Sequence, residues 1–381
     1  MVRGRGKIVL PVMVLPQKGA EVGGNNIMNR KELQDKIARL DEKLIKLINQ
    51  RGSLTEQAGK LSSGSKETGY DPVGEEKIIR KVARANPGPI KAAAISAVYR
   101  EIISACRGMA GRIKVAYLGP EATFTHGASR KHFGSSVEFI PAESIGGVFR
   151  EVENEAADYG VVPIENSLDG AVTYTLDSFM ESPLQICAEV FLQVDQSLLS
   201  NYPLSEIEDI YSHPQVFGQC RIFIQKHLPH AALREVASTA RAAELAAREK
   251  KSGALANALA ASVYGLKVVK SNVQDSAGNM TRFLVIGKTL SSSSGRDRTS
   301  ILFSLPHKAG SLHDALNAFR VRKINLTKIE SRPSRKKAWE YYFFVDLEGH
   351  CRSKKVKAAL DELSQACRFI KILGSYPRGE I

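Results

Sequence analysis

Asn279-Met280-Thr281-Arg282-Phe283-Leu284-Val285-Ile286-Gly287 reads as a loop that runs into a buried strand. The small residues Asp275, Ser276, Ala277 and Gly278 lead into it, a short apolar run follows, and Gly287 stops it. A hydroxyl, a guanidinium and an aromatic ring stand in succession at the mouth of the strand. On an α/β scaffold ligands bind at strand ends, so the three side chains suggest a proton donor, an anion clamp and an apolar wall. Taken alone, the tripeptide is more simply a β-branched strand residue, a solvated cation and a core ring. Only the rest of the chain can reverse that order.

Upstream, a break at Gly111-Arg112 opens an alternating pattern. A strand over 113–118 leads through Gly119-Pro120-Glu121 to Thr123, a candidate cap for a helix through His132. A strand over 137–140, a helix over 144–153 and a strand over 159–164 follow, the last entering Glu165-Asn166-Ser167. Such alternation predicts α/β layers with a largely parallel sheet. Further on, Ser212-His213-Pro214-Gln215 follows a strand over 209–211, and Ser238-Thr239 follows one over 234–237 and precedes an Ala-rich helix to Lys250. Helix N-termini present unpaired amides and a partial positive charge, which suit carboxylates. Any one of these clusters is most simply a cap; several together with Arg282 point to a small dianionic ligand.

The chain has 381 residues, enough for two or three domains, with 43% hydrophobic and 25% charged residues. Its formal net charge of +14 admits a polyanion-binding surface or an enzyme that attracts a small acidic substrate. Basic residues are dispersed, with brief clusters such as Arg335-Lys336-Lys337, and aromatics do not alternate with them, which favours general steering over nucleic acid. The five cysteines form no C-x-x-C pair and the eight histidines no H-E-x-x-H, so neither a disulfide framework nor a metal site is indicated. The apolar patch over 8–15 is too short for a membrane span and is interrupted by Pro11. Residues 1–28 are expected to be a disordered extension, with Met28 an alternative start, and the protein cytoplasmic.

From Leu33 the apolar positions Leu33, Ile37, Leu40, Leu44, Leu47, Leu54, Ala58 and Leu61 trace a heptad seam, which predicts a long helix that packs against another. Arg51 falls on that seam. It either binds an anion there or carries its guanidinium out to the bundle edge. After the linker Ser62-Ser63-Gly64-Ser65 and Asp71-Pro72, a short helix over 75–85 ends at Pro87-Gly88, and a third runs over 89–106 with Ile90, Ala94, Ala97, Val98 and Ile102 on one face. The strings Leu40-Asp41-Glu42-Lys43-Leu44 and Tyr70-Asp71-Pro72 to Glu75-Glu76 make residues 29–108 resemble the all-helical chorismate mutase domain, an intertwined dimer in that family. The resemblance assigns Arg51, Asp71 and Glu75 to substrate binding, but Gln34, Ser62 and Gly74 stand where the family has other basic residues. That mutase clamps a dianion in a compact shape, so its catalysis depends on the cations. At roughly 1.5–3 kcal/mol per charge-assisted hydrogen bond, losing three removes several powers of ten in rate. The expectation is a domain that has lost efficient activity and serves dimerisation.

Residues 112–288 closely resemble prephenate dehydratase. Five elements occur in order: Gly119-Pro120-Glu121-Ala122-Thr123-Phe124; Gly160-Val161-Val162-Pro163-Ile164-Glu165-Asn166-Ser167; His213-Pro214-Gln215; Ser238-Thr239-Ala240 with Ala243-Glu244; and Thr281-Arg282-Phe283. Ala122 departs from the family, whose turn usually has Gly. The resemblance implies a two-lobed fold like type II periplasmic binding proteins, with residues 112–190 and the strand at 281 in one lobe and 191–272 in the other. It also implies loss of CO2 and water from prephenate to give phenylpyruvate, with no metal, nucleotide or other cofactor. Thr281 would donate to the departing hydroxyl, Arg282 retain the anion unless strand alternation turns it away, and Phe283 shape the wall. Glu165, Asn166, Ser167, Ser238 and Thr239 would contact substrate.

A Ser/Gly linker, 291–295, precedes a βαββαβ pattern, the ferredoxin-like split motif. Its strands are expected over 299–305, 325–331, 339–347 and 369–373, and its helices end near Arg320 and Cys367. His307-Lys308-Ala309-Gly310-Ser311-Leu312 and Glu330-Ser331-Arg332-Pro333 make residues 298–381 resemble the ACT regulatory domain. In that family Gly310, Ser311, Leu312, Glu330, Ser331 and Arg332 would form a phenylalanine site between paired domains. The whole resembles bifunctional chorismate mutase/prephenate dehydratases. The implied partners are prephenate, chorismate as a further candidate, L-phenylalanine as effector, and a second copy in a homodimer or dimer of dimers. Three alternatives stay open: both activities retained, a non-catalytic amino-acid or solute sensor, and a nucleic-acid binder.

Overall fold

The computed structural model describes residues 29–61, 70–334 and 340–379. The expected N-terminal extension, the 62–65 linker and the Arg335-Lys336-Lys337 turn lie outside these residues.

The heptad seam forms one helix, α1 (Arg30–Leu61). The chain divides into two units, 1–50 and 51–381, within this helix. In the first unit the seam is exposed in a single chain, Leu33 at 45% and Leu47 at 60%. In the second, Gly52 lets the end of α1 approach α3 (Ala92–Ala110): a Cβ at Gly52 would lie 2.7 Å from the Met109 sulfur. Between them α2 (Pro72–Ala85) begins three residues before the expected start. Pro72 suits a first helical turn, because a proline lacks only an N–H that has no intrahelical partner there. Asp71 caps the helix, its carboxylate accepting from Val73 N at 3.1 Å.

Two sheets follow. The first is built from β1 (Lys114–Leu118), α4 (Phe124–Phe133), β2 (Glu138–Ala142), α5 (Ile145–Glu153), β3 (Tyr159–Asn166), β4 (Gly170–Ala171), α6 (Thr173–Glu181) and β5 (Gln185–Gln193). The second takes β6 (Ser197–Ser200), β7 (Asp209–Ser212), α7 (Pro214–Gln219), α8 (Arg221–His227), β8 (Ala232–Glu235), α9 (Thr239–Arg248), β9 (Ser252–Ala256), α10 (Leu259–Tyr264) and β10 (Lys267–Lys270). The opening stretch is β11 (Met280–Gly287), which returns to the first sheet between β3 and β5. The expected largely parallel arrangement holds with one reversed main strand in each sheet. In the first sheet β2, β1, β3 and β5 run in one direction, and β11, inserted between β3 and β5, runs in the other, as does the short β4. In the second β8, β7, β9 and β10 share a direction and β6, between β9 and β10, is reversed. The chain crosses between lobes twice, and each crossing brings a strand in from the opposite end.

The C-terminal region is β12 (Asp297–Ser304), α11 (Ser311–Arg320), β13 (Leu326–Pro333), β14 (Tyr341–Glu348), α12 (Lys354–Ala366) and β15 (Phe369–Pro377), with strand order β13-β14-β12-β15. This is the expected βαββαβ order in an antiparallel sheet. One face of the first sheet buries Tyr117, Phe133, Phe283 and Val285. The other buries Phe149, Phe179, Leu284 and Ile286 together with Leu302, Phe344 and Leu373 of the C-terminal sheet, so the two domains share a core. Their approach is close: a Cβ at Gly374 would meet the Ile186 carbonyl oxygen at 2.3 Å. No helix among the described residues is long and apolar enough to cross a membrane.

Candidate active site

The β3–β11 pair sorts the predicted residues onto two faces. Thr281 lies opposite Asn166 and Arg282 opposite Glu165; the register then slips, so that Phe283 faces Pro163. A bulge of this kind re-aims side chains at a strand end. On one face Asn166 Nδ2 donates to Thr281 Oγ1 at 2.9 Å and to Asn279 Oδ1 at 2.8 Å. The Asn166 oxygen accepts from the Leu168 and Asp169 amides at 2.9 and 3.1 Å, and these backbone donors fix which way the amide points. Ser167 completes the cluster by accepting from Met280 N at 3.0 Å through its hydroxyl. Thr281 is 8% exposed. Because its oxygen already accepts from Asn166, its own hydrogen is available to a ligand, and the amide donor stabilises negative charge developing on that oxygen.

The second lobe supplies Ser238 and Thr239. Ser238 caps α9, its hydroxyl accepting from Arg241 N at 3.1 Å, and Thr239 is the first helical residue. Hydrogen bonds tie the lobes together: Gln215 Nε2 to Asp169 Oδ2 at 2.7 Å, Asn257 Nδ2 to the Ala122 carbonyl at 2.6 Å, and Tyr264 Oη to the Glu121 carbonyl at 3.4 Å. Ala122 sits at φ 64, a conformation that favours glycine. It is held by those contacts and by its own amide, which donates to His126 Nδ1 at 3.1 Å. Burial lowers the His126 pKa, so the ring stays neutral and able to accept.

Arg282 and Glu165 occupy the opposite face. Arg282 is 6% exposed, and each guanidinium nitrogen donates: Nε to Glu189 Oε2 at 2.7 Å, Nη1 to Asp346 Oδ2 at 2.5 Å, Nη2 to Tyr376 Oη at 2.9 Å. Alternation along β11 therefore turns it from the Thr281 side toward the C-terminal domain. Glu165 pairs with Lys328 of β13 at 2.9 Å. Phe283 is buried in the core with Tyr117, Phe133 and Val161. Sequence reasoning missed Asn279, Asn257, Glu189, Asp346 and Lys328. Glu189 and Asp346 each carried a signal, a carboxylate inside an apolar run: Ile186-Cys187-Ala188-Glu189-Val190-Phe191 and Phe343-Phe344-Val345-Asp346-Leu347.

In the helical module, Arg51 Nη1 is buried without a hydrogen-bond partner. Asp71 is engaged as the α2 cap, and Glu75 is bound by Arg107 Nη1 at 2.6 Å. Burial raises the Glu75 pKa against the pull of that guanidinium. Arg107 also donates through Nη2 to the Phe133 carbonyl at 2.7 Å and lies 5.5 Å from the Tyr70 ring centroid. Gln34 belongs to the first unit, Gly74 lies in the first turns of α2, and Ser62 falls outside the described residues.

In the C-terminal domain Gly310 takes φ 82 where α11 begins, followed by Ser311 and Leu312. Glu330, Ser331 and Arg332 lie on the edge strand β13. Arg332 turns to Asp177 of α6 at 3.1 Å. Among the described residues no hydrogen bond joins the Gly310 loop to Glu330, Ser331 or Arg332.

Three family models match in order: Chorismate mutase type II over residues 33–110, Prephenate dehydratase over 115–291 and ACT domain over 299–365. The bifunctional chorismate mutase/prephenate dehydratase of Aquifex aeolicus (strain VF5) is 46% identical over 353 residues, covering 91% of this chain and 98% of that protein. Its counterpart from Pseudomonas aeruginosa is 40% identical over 355 residues, 91% of this chain and 97% of that protein. Among solved structures, the prephenate dehydratase of Arthrobacter aurescens in complex with L-Phe superposes with a TM-score of 0.65 at 31% identity, covering 70% of this chain and 90% of that one.

Proposed function

The chain belongs to the family of bifunctional chorismate mutase/prephenate dehydratases, and on that premise we propose that its two-lobed α/β region converts prephenate to phenylpyruvate. The ring carboxylate leaves as CO2 and its bonding pair enters the ring as the ring hydroxyl departs; that hydroxyl takes up a proton and leaves as water. Aromatisation drives the step, so the protein has chiefly to protonate the leaving hydroxyl and hold the carboxylates. Thr281 is the donor, since its oxygen accepts from Asn166 and its own hydrogen stays available to a ligand. The observation that carries this reading is the Asn166–Thr281–Asn279 cluster at the end of β3 and β11. Ser167, Ser238 and Thr239 complete the polar lining in a cleft of the type II periplasmic-binding-protein kind. Thr281→Ser keeps partial activity, whereas Thr281→Ala loses about 100-fold or more in kcat. An Ala variant with near-normal phenylpyruvate production removes Thr281 from the mechanism.

The helical module is a dimerisation element with little mutase activity. Its exposed seam is the surface a second copy covers, giving a homodimer or dimer of dimers. The C-terminal domain senses L-phenylalanine through Gly310, Ser311 and Leu312 with Glu330 and Ser331 of a paired domain; the Arthrobacter aurescens protein, solved in complex with L-Phe, supports this assignment. Added phenylalanine changes the dehydratase rate or its substrate dependence; no change in either excludes the regulation. A second reading, with both activities retained, draws on the unpaired buried nitrogen of Arg51, which suits an anion.

A further inference from the structure

Arg282 stands next to the proposed proton donor, yet its guanidinium is fully occupied at the joint between the dehydratase and ACT regions. Two cations, two carboxylates and two hydroxyls meet there. Glu189 of β5 accepts from both Arg282 and Arg298 of β12, and from Gly379 N at 2.9 Å. Asp346 of β14 accepts from Arg282 and from Ser300 Oγ, each at 2.5 Å, and Ser300 and Tyr376 hydroxyls lie 2.6 Å apart. Burial opposes the charge on Asp346, but Arg282 and the Ser300 hydroxyl outweigh it and lower its pKa. Arg298 Nε is buried without a hydrogen-bond partner, whereas each Arg282 nitrogen has one, two of them from the ACT region, so the position of Arg282 depends on that region as well as on its own strand.

A second tether runs beside the first. Lys328, whose side chain is 10% exposed, reaches from β13 to Glu165, the residue directly opposite Arg282 across the bulged pair. Arg282, Lys328, Asp346 and Ser300 also border a cavity of about 20 Å³, room for about one water molecule. The joint is thus polar and incompletely filled at the two side chains that link the regions. The same β13 carries Arg332 to Asp177 at 3.1 Å.

We propose that Arg282 is a positioning residue and not a substrate ligand: with Glu165 and Lys328 it makes the bulged end of β3 and β11 a coupling element through which the ACT region sets the geometry of Thr281 and Asn166. The proposal rests on the dehydratase reading above. Thr281 and Arg282 share a peptide unit, and Asn166 and Glu165 share another, so a shift of the tethered face moves the chemical face by a similar distance. A displacement of about 1 Å at a reacting group can cost about 100-fold in rate.

Steady-state kinetics with prephenate separate the roles. Lys328→Met and Asp346→Asn alter residues outside the dehydratase lobes; each lowers kcat about tenfold while KM stays within about threefold. In a cycle of Glu165→Gln, Lys328→Met and the pair, the double variant is no slower than the slower single, because both changes cut one tether. Cooperative thermal unfolding of each variant confirms that it is folded, and Arg282→Lys, which retains the charge, recovers more kcat than Arg282→Met. An active wild type with Lys328→Met and Asp346→Asn at normal kcat overturns the proposal alone. So does an Arg282→Lys variant whose KM rises more than tenfold at unchanged kcat, since that marks an anion clamp. A wild type that yields no phenylpyruvate overturns the dehydratase reading and the proposal with it.

Discussion

The helical module and the α/β region each carry residues suited to a small dianion, and they use their polar groups in opposite ways. In the module Glu75 is bound by Arg107 and Asp71 by the start of α2, while Arg51 keeps a buried nitrogen with no partner. At the α/β site Asn166 is satisfied on every side by protein groups, and it leaves the Thr281 hydrogen free. On the proposed reading, the α/β site works because its supporting hydrogen bonds hold a reactive group open to a ligand, and the module works poorly because Glu75 and Asp71 have found partners within the protein.

The comparison breaks most visibly if the missing cations are returned. Gln34→Arg, Ser62→Lys and Gly74→Arg together should raise chorismate consumption about 1,000-fold, three charge-assisted hydrogen bonds at about 1.5 kcal/mol each. A side chain at Gly74 starts 2.3 Å from Asp71 Oδ2, so the capping carboxylate has to rotate, and the pair without Gly74→Arg serves as the control. A gain under about tenfold would mean that the commitment of Glu75 to Arg107, not the loss of cations, silences the module.

A smaller effect concerns the contact between module and α/β region. Tyr70 hydrogen-bonds to His132 Nε2, and burial, with Arg100 and Arg107 nearby, lowers the His132 pKa from 6.5 to about 3. The folded protein therefore binds fewer protons than the unfolded chain between those values. Stability from this contact is complete above about pH 6.5 and falls as pH drops toward 3. Chemical denaturation at pH 7.5 and 5 should show that loss in the wild type and a shallower one in His132→Phe. Equal slopes would place the acid sensitivity elsewhere.

The smallest change is expected at Ala122. Glycine there relieves about 1 kcal/mol of left-handed strain and adds about 0.5–1 kcal/mol of chain entropy cost, so Ala122→Gly should shift stability by less than about 1 kcal/mol. Its dehydratase rate should stay within about twofold, since the contacts of Ala122 to Asn257 and His126 are made by backbone atoms. A larger loss would show that the methyl group packs a cleft wall.

Local pattern carried far in this chain. Thr123 and Ser238 cap helices as expected, and the βαββαβ order of the C-terminal region follows from its alternating runs. The Thr281-Arg282-Phe283 strand was also legible, but not which way each side chain faced. Alternation alone places Thr281 and Arg282 on opposite sides, yet assigning the sides requires knowing that β11 returns between β3 and β5 and that the C-terminal sheet packs on one face. Asn279, Asn257 and Lys328 were invisible for a related reason: each acts on a residue more than 60 positions away, which no periodicity records. Arg107 lay one residue beyond the expected third helix, which in the structure continues to Ala110.

Supplying the purified protein with prephenate and with chorismate separately, and following phenylpyruvate, tests the contrast between the two sites most directly. The account predicts rapid phenylpyruvate from prephenate and formation from chorismate slower by at least about 100-fold, limited by the module. Equal rates from the two substrates, or none from prephenate, would contradict it.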